Sequence, residues 1–436
     1  PIFFFQSYYG ILDSVASRGL GDVYKRQHLD SPEEKAKKIQ ELIDLNQDNI
    51  PSGIKTKRKL KTYLSKEKLM TKFKLSLLFL SVMSLAIFVA CSSETETITE
   101  TVEVIKEVQV DQVSTLKTIQ DRGMLKCGVN DNLTGFGVLT SGGSFEGFDI
   151  DYCKAVAAAI LGDASKVEYV PLTASARFEA LGSGEIDMLV RNTTWTASRD
   201  RDLGNDFTAT TFYDGQGMMV YADSGYKTIE DMDGATVCVL QGTTTELNLD
   251  DRFTSAGLDY TPLTFETNDP LQAAFEEKRC DGWTTDKSGL ASKRAEFPAS
   301  AGGPDSLVVL AETLSKEPLG PLTRDNDSKF YDVVQWVVFG LIQAEESGIT
   351  SANVSAMASN PTDPGMARLL GVPFGDGTVA DFNFGVDPTF IQNAIAAVGN
   401  YGEIYERHLT PLGLTRSGSL NALWTNGGLI YAPPFR

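Results

Sequence analysis

The feature that most limits the fold of this chain is a strand–helix alternation that runs twice. From Ser114 onward, LKCGVN (125–130) reads as a strand and leads through a turn-rich stretch to Gly147. After Asp149, Ala155, Val156, Ala159 and Ile160 recur at helical spacing. VEYVPL is a second strand, a helix passes through Phe178 and Leu181 to GSGE, and IDMLV is a third strand. A βαβαβ order calls for a mostly parallel sheet with helices on both faces, because parallel neighbours need crossover connections. The alternation restarts at ATVCVLQG (235–242). TTTELNLDDRF and PLQAAFEEKR are its helices, DYTPLTF and CDGWTTD its further strands. A long amphipathic helix over 329–348 follows a stretch around Pro318 to Pro321. Two α/β units joined by extended crossings place a cleft between two lobes.

The 436-residue chain carries a net charge of −19, which argues against nucleic acid as a partner, since phosphate binding needs basic patches. The charge is unevenly spread. Residues 1–74 hold 15 Lys+Arg against 9 Asp+Glu, and the remainder holds 24 against 49. The change falls at Met70, the first methionine, where MTKFKLSLLFLSVMSLAIFVACSSE begins. Lys72 and Lys74 form a basic head, Leu75 to Val89 an apolar run, and Ala90–Cys91 a small residue before a cysteine. This layout is that of a secretory signal. The apolar run is short of the roughly 20 residues of a membrane span. FVAC resembles a bacterial lipobox, with Phe88 where Leu is usual, and implies lipidation of Cys91. Residues 70–91 are therefore expected to be a lipoprotein signal. SVASRGLGDVYKRQ (14–27) looks like translated adapter sequence, so 1–69 is read as a non-native upstream segment and set aside. The Glu-, Thr- and Val-rich run 92–113 reads as a stalk or linker.

Four further cysteines, Cys127, Cys153, Cys238 and Cys280, are an even number in a chain expected to be exported. Three pairings are open. Cys127 with Cys153 and Cys238 with Cys280 are favoured because each keeps both partners within one expected lobe, and four buried thiols are the alternative. With His28 and His408 as the only histidines and no CxxC, neither a metal site nor any other cofactor is expected.

GFDIDYCKAVAAAI (147–160) strongly resembles the signature of the family 3 bacterial extracellular solute-binding proteins, the amino-acid receptors of ABC importers. Tyr152 departs from the aliphatic residue or Phe usual there. RNTTWTASR, LQGTTTELNL, RCDGWTTD and SKEPLGP extend the resemblance in order from Leu116 to the C-terminus, and within the family it looks closest to general and polar L-amino-acid receptors. The resemblance implies a two-lobed α/β fold of the type II periplasmic-binding-protein kind. Each lobe would be a mostly parallel sheet flanked by helices, with the ligand cleft between. Lobe 1 would be 114–217 plus 320–436, and lobe 2 would be 218–319.

A zwitterionic ligand needs an anion clamp and a cation clamp. Arg199 suits the first, because a guanidinium grips a carboxylate with two parallel hydrogen bonds. A solvated surface arginine would look the same in isolation; the Thr-x-x-Arg frame after a strand, with the family match, favours binding. Thr243-x-x-Glu246 reads as a capping box with Thr243 as N-cap, leaving the amides of Thr244 and Thr245 in a first turn that attracts a carboxylate. An ordinary capped helix is compatible with that role. Asp286, just after a strand, would be an N-cap on local grounds alone; the resemblance implies instead that it pairs with the α-ammonium. Asn192 and Thr194 alternate along an extended segment and would complete that site, while Arg191, Thr193 and Trp195 face away or line the rim. The resemblance puts Arg177 at a position that contacts the ligand side chain in some acidic-amino-acid receptors, against an exposed helix arginine as the alternative. Phe136 is placed at the pocket wall. Asp149 and Asp151 are read as an N-cap with a first-turn acid.

The expected protein is a monomeric, lipid-anchored, extracytoplasmic receptor. It captures an L-amino acid by lobe closure and delivers it to an ABC permease and its ATPase. It is expected not to be an enzyme. The rivals are a cyclohexadienyl-type dehydratase on the same fold, which would need an unexplained acid or base in the cleft, and a sensory module.

Overall fold

The computed structural model describes residues 114–436. The expected upstream segment 1–69, the expected signal 70–91 with Cys91, and the expected stalk 92–113 lie outside the described residues. Two sheets organise the chain. In the first, Val167–Pro171, Leu125–Val129 and Met188–Leu189 run parallel, and Leu322–Arg324 and Asn205–Phe207 extend the sheet, with Leu322–Arg324 antiparallel to both of its neighbours. In the second, Tyr260–Phe265, Ala235–Leu240 and Gly282–Asp286 run parallel, followed by Phe212–Tyr221 and Leu307–Val309. Each sheet thus has the parallel core demanded by the alternation. Antiparallel strands are added where the chain enters from, or returns to, the other sheet.

Those crossings are visible in the packing. Phe212–Tyr221 is one continuous strand whose first residues pair with Lys316–Leu319 and whose later residues pair within the second sheet. Phe212 and Leu319 belong to the core of the first lobe, whereas Met219 and Tyr221 belong to a core of the second. The turn-rich stretch before Gly147 holds a small antiparallel sheet, Asn132–Leu133, Gly137–Leu139 and Phe145–Glu146, that periodicity did not reveal because its strands are two or three residues long.

The signature helix, Phe148–Leu161, is buried almost all round, which explains its nearly continuous apolar sequence. It is entered through Gly147 at φ +141°, where a Cβ would lie 2.1 Å from the Phe136 carbonyl oxygen, so only glycine fits. Neither acid is its N-cap, contrary to expectation, although both lie in the first turn as expected. The N-cap is Gly147. Asp149 instead accepts from the Asn192 amide at 2.6 Å. Asp151 accepts from His408 (2.7 Å), Arg407 (2.6 Å) and Lys154 (3.1 Å).

The long C-terminal segment packs into the core of the first lobe, where it was expected. Phe390–Val398 packs along the signature helix and against Ser328–Glu346, and Tyr401, Ile404, Tyr405, Ile430 and Phe435 join the same core. Disulfides join Cys127 to Cys153 and Cys238 to Cys280 at Cα separations of 6.2 and 5.7 Å. Each links a strand of one sheet to the helix or turn beside it.

Candidate functional site

The first wall is built from the segment that leaves Met188–Leu189. The chain turns at Asn192, whose φ of +31° lies in the left-handed region, and the buried Asp149 carboxylate holds that turn through the Asn192 amide. Burial pushes the Asp149 carboxyl up to about 7, against the Asn192 hydrogen bond and the charge of Arg191. The following residues are stitched to the SKEPLGP stretch: Thr194 bridges Leu319, Trp195 N–H donates to the Pro318 carbonyl at 2.8 Å, and Gly320 N–H to that of Thr193 at 3.2 Å. Thr196 then caps Ala197–Arg201, accepting from the Arg199 amide at 3.3 Å. This sends the buried Arg199 side chain back beneath Thr194, where Nη1 donates to the Thr194 carbonyl at 3.0 Å. Burial lowers the Arg199 pKa, and Glu317 and Asp286 oppose that shift.

The second wall is the start of Thr244–Ala256. Thr243 accepts from the Glu246 amide at 3.1 Å, as a cap should. The reciprocal bond of the expected capping box is displaced: Glu246 accepts from the Gly242 amide at 2.9 Å, one residue early. Among the described residues, no protein acceptor meets the amides of Thr244 and Thr245. Side chains fix the turn from behind. Thr244 donates to the buried Glu317 at 2.7 Å, and Gln216 donates to the Thr245 carbonyl at 2.9 Å. Across the cleft, the hydroxyls of Thr194 and Thr244 are 3.3 Å apart.

Asp286 closes the third side. It stands at the N-cap position of Lys287–Ala295 but makes no capping bond, and no hydrogen bond from the described residues reaches its buried carboxylate. Burial, then Asp214 and Glu317, hold its pKa well above the usual carboxylate range, against the pull of Arg177 and Arg199. Arg177 is buried, donates weakly to Thr193 (3.3 Å) and leaves Nε without a partner. Burial pushes its pKa well down, and Arg199 and Arg191 push it further. The Arg191 pKa is pushed down to about 10, again by burial first.

These groups surround a cleft with an empty volume of about 520 Å³, open solvent at its mouth included. Of the residues expected at the site, Arg177, Asn192, Thr194, Thr243, Thr244, Thr245 and Asp286 line it together. Two do not. Arg199 lies behind Thr194. Phe136 is fully buried in the core of the first lobe, edge-on to Phe148 and Phe212 at 6.0 and 5.4 Å between centroids, because Gly137 and Gly147 let the backbones close over it. Arg191, read as facing away or rim-lining, lines the cleft, as do Asn130, Asn268 and Lys293, which carried no signal in the sequence. Lys293 is buried and donates to the Asn132 side chain at 2.7 Å. Asn268 donates to the Asn132 carbonyl at 3.3 Å, and Asn132 and Asp269 are bonded through their side chains. Asn132 therefore latches the mouth of the cleft to two helices of the opposite lobe.

Residues 125–352 match the bacterial extracellular solute-binding proteins, family 3. The chain belongs to this family. It is 49% identical over 326 residues to the glutamate/glutamine/aspartate/asparagine-binding protein BztA of Rhodobacter capsulatus, covering 74% of this chain and 94% of that protein. It is 47% identical to the general L-amino acid-binding periplasmic protein AapJ of Rhizobium johnstonii, with coverage of 74% and 93%. The solved structure of an ABC transporter/periplasmic binding protein from Brucella ovis with glutathione bound is 44% identical, with a TM-score of 0.68 over 74% of this chain and 99% of that one. Membership in this solute-binding family indicates an extracytoplasmic protein, and the two disulfides suit an oxidising compartment.

Proposed function

We propose that this chain is the substrate-binding component of an ABC importer and captures an L-amino acid between its lobes. One observation carries the reading: a buried carboxylate without a partner, Asp286, shares a cleft with the partnerless amides of Thr244 and Thr245 and with an arginine cluster. That set is complementary to a zwitterion, with Asp286 for the α-ammonium and the amides of the helix start for the α-carboxylate; Arg199, seated behind Thr194, joins them when the ligand draws its guanidinium out past that residue. Asn192 and Thr194 supply oxygens beside the ammonium. Arg177 and Arg191 carry positive charge that a polar or acidic ligand side chain balances. This is the ligand class named for the Rhodobacter relative.

Among the residues that line the cleft Asp286 is the one acid, and the reading gives it the ligand's ammonium as partner rather than a proton-transfer role. Asp149, which holds the Asn192 turn, and Glu317, engaged by Thr244 and Asn248 (2.9 Å), stand outside that lining. The moving bodies are 114–217 with 320–436, and 218–319. A ligand bridging them favours closure. The closed monomer, tethered through lipidated Cys91, would hand its cargo to a permease and ATPase. Calorimetric titration of folded, ligand-free protein with Glu, Gln, Asp, Asn, apolar amino acids and glutathione tests this. Binding of polar L-amino acids is expected, and no binding of any amino acid refutes the reading.

A further inference from the structure

Asp286 occupies a position where an aspartate ordinarily caps its own helix, with φ −52° and ψ 140°, yet its side chain makes no such bond. Another residue does that work. Asp214, on Phe212–Tyr221, reaches the start of Lys287–Ala295, where its Oδ2 accepts from the Ser288 amide at 3.3 Å. Its Oδ1 accepts from the Gly215 amide at 2.8 Å, which fixes the rotamer. The strand register puts it there: Asp286 pairs with Gln216, so residue 214 lies just beyond the end of Gly282–Asp286, level with the first turn of the helix.

We propose that Asp214 is a positioning residue that caps the Lys287–Ala295 helix in place of Asp286, leaving the Asp286 carboxylate free to receive the ligand's ammonium group. This rests on the transport reading above and extends it to a residue that does not line the cleft. A helix start leaves amides in want of acceptors. If Asp214 is removed, the nearest acceptor is Asp286 itself, and an Asp286 turned inward to the Ser288 amide is lost to the ligand. A second acid opposite, Glu317, pairs with Asp214 in register but is occupied by Thr244 and Asn248.

The test compares L-glutamate with 2-hydroxyglutarate, which lacks the amine, by calorimetry and by displacement, in the wild type, Asp214→Ala and Asp214→Asn. Asp214→Ala is expected to lose about tenfold or more in affinity for glutamate while its affinity for the hydroxy acid stays within about twofold. Asp214→Asn keeps a carbonyl acceptor of the same reach and is expected to retain the preference for the amine. Equal losses for both ligands, an unchanged glutamate affinity in Asp214→Ala, or loss of the preference in folded Asp214→Asn would each overturn the proposal. Should Asp214→Ala not fold, Asp214→Asn alone decides it. A wild type that binds no amino acid overturns the transport reading and this inference with it, whereas a wild type that binds and variants that do not differ overturn only the inference.

Discussion

Asp151 in the signature helix and His408 near the C-terminus are joined by a 2.7 Å hydrogen bond across 257 residues of sequence. Arg407 and Lys154 converge on the same carboxylate. Burial by itself would raise the Asp151 pKa, but the His408 hydrogen bond, with Lys154 and Arg407 beside it, outweighs it and holds the carboxyl at about 2.

The sign of the resulting pH dependence follows from that depression. A carboxyl depressed from its ordinary value of 3.8 to about 2 stabilises the fold above pH ~4, and this stability is lost as pH falls toward 2. Asp151→Asn is expected to cost about 2 kcal/mol at pH 7. Denaturant titrations of variant and wild type should converge near pH 2. Curves that stay parallel down to that pH would contradict the assignment.

Arg199→Lys tests the guanidinium directly. One of its nitrogens already serves the Thr194 carbonyl, and a lysine, with a single nitrogen, cannot hold that carbonyl and also offer the two parallel hydrogen bonds of a guanidinium to a carboxylate. Affinity should fall by about tenfold or more with little change in melting temperature. Calorimetry that finds the affinity intact removes Arg199 from the ligand site.

Proton release offers a third measurement. Burial, then Asp214 and Glu317, hold the Asp286 pKa well above the usual carboxylate range, which favours its protonated form when no ammonium faces it. Pairing with the α-ammonium ionises it, so ligand binding releases a proton and affinity rises with pH between the ordinary carboxylate pKa and the raised one. Calorimetry in buffers of different ionisation enthalpy reads this release. Zero proton exchange across that interval counts against Asp286 as the ammonium partner.

Asn132 holds Lys293, Asn268 and Asp269 across the mouth. Asn132→Ala removes the side-chain part of this latch between the lobes, so ligand should dissociate about tenfold faster with chain stability unchanged. Stopped-flow release kinetics check it, and an unaltered off-rate would show that closure does not depend on the latch.

Much of the site was legible in the sequence because its devices are local. Thr196 with the Arg199 amide, and Thr243 with that of Glu246, are contacts over three residues, and a cap is written in the order of residue types. The displaced capping box and the uncapped Asp286 were not legible, since each depends on which distant acceptor reaches an amide first. Lys293 and Asn268 read as ordinary helix residues until the opposite lobe brings Asn132 against them. Phe136 was misplaced for the converse reason: its neighbours Phe148 and Phe212 are distant in the chain and bury it completely.

By itself the sequence determined the two α/β units, because periodicity acts over a few residues, and its resemblance to the family pointed to the residue types of the proposed ligand site. Only the tertiary structure decided which residues of 390–435 pack against the signature helix, that Asp151 belongs to His408, and that Asp214 takes over the cap of a helix 74 residues away. Those outcomes are set by sheet register and long-range packing, which bring together groups that no local pattern relates.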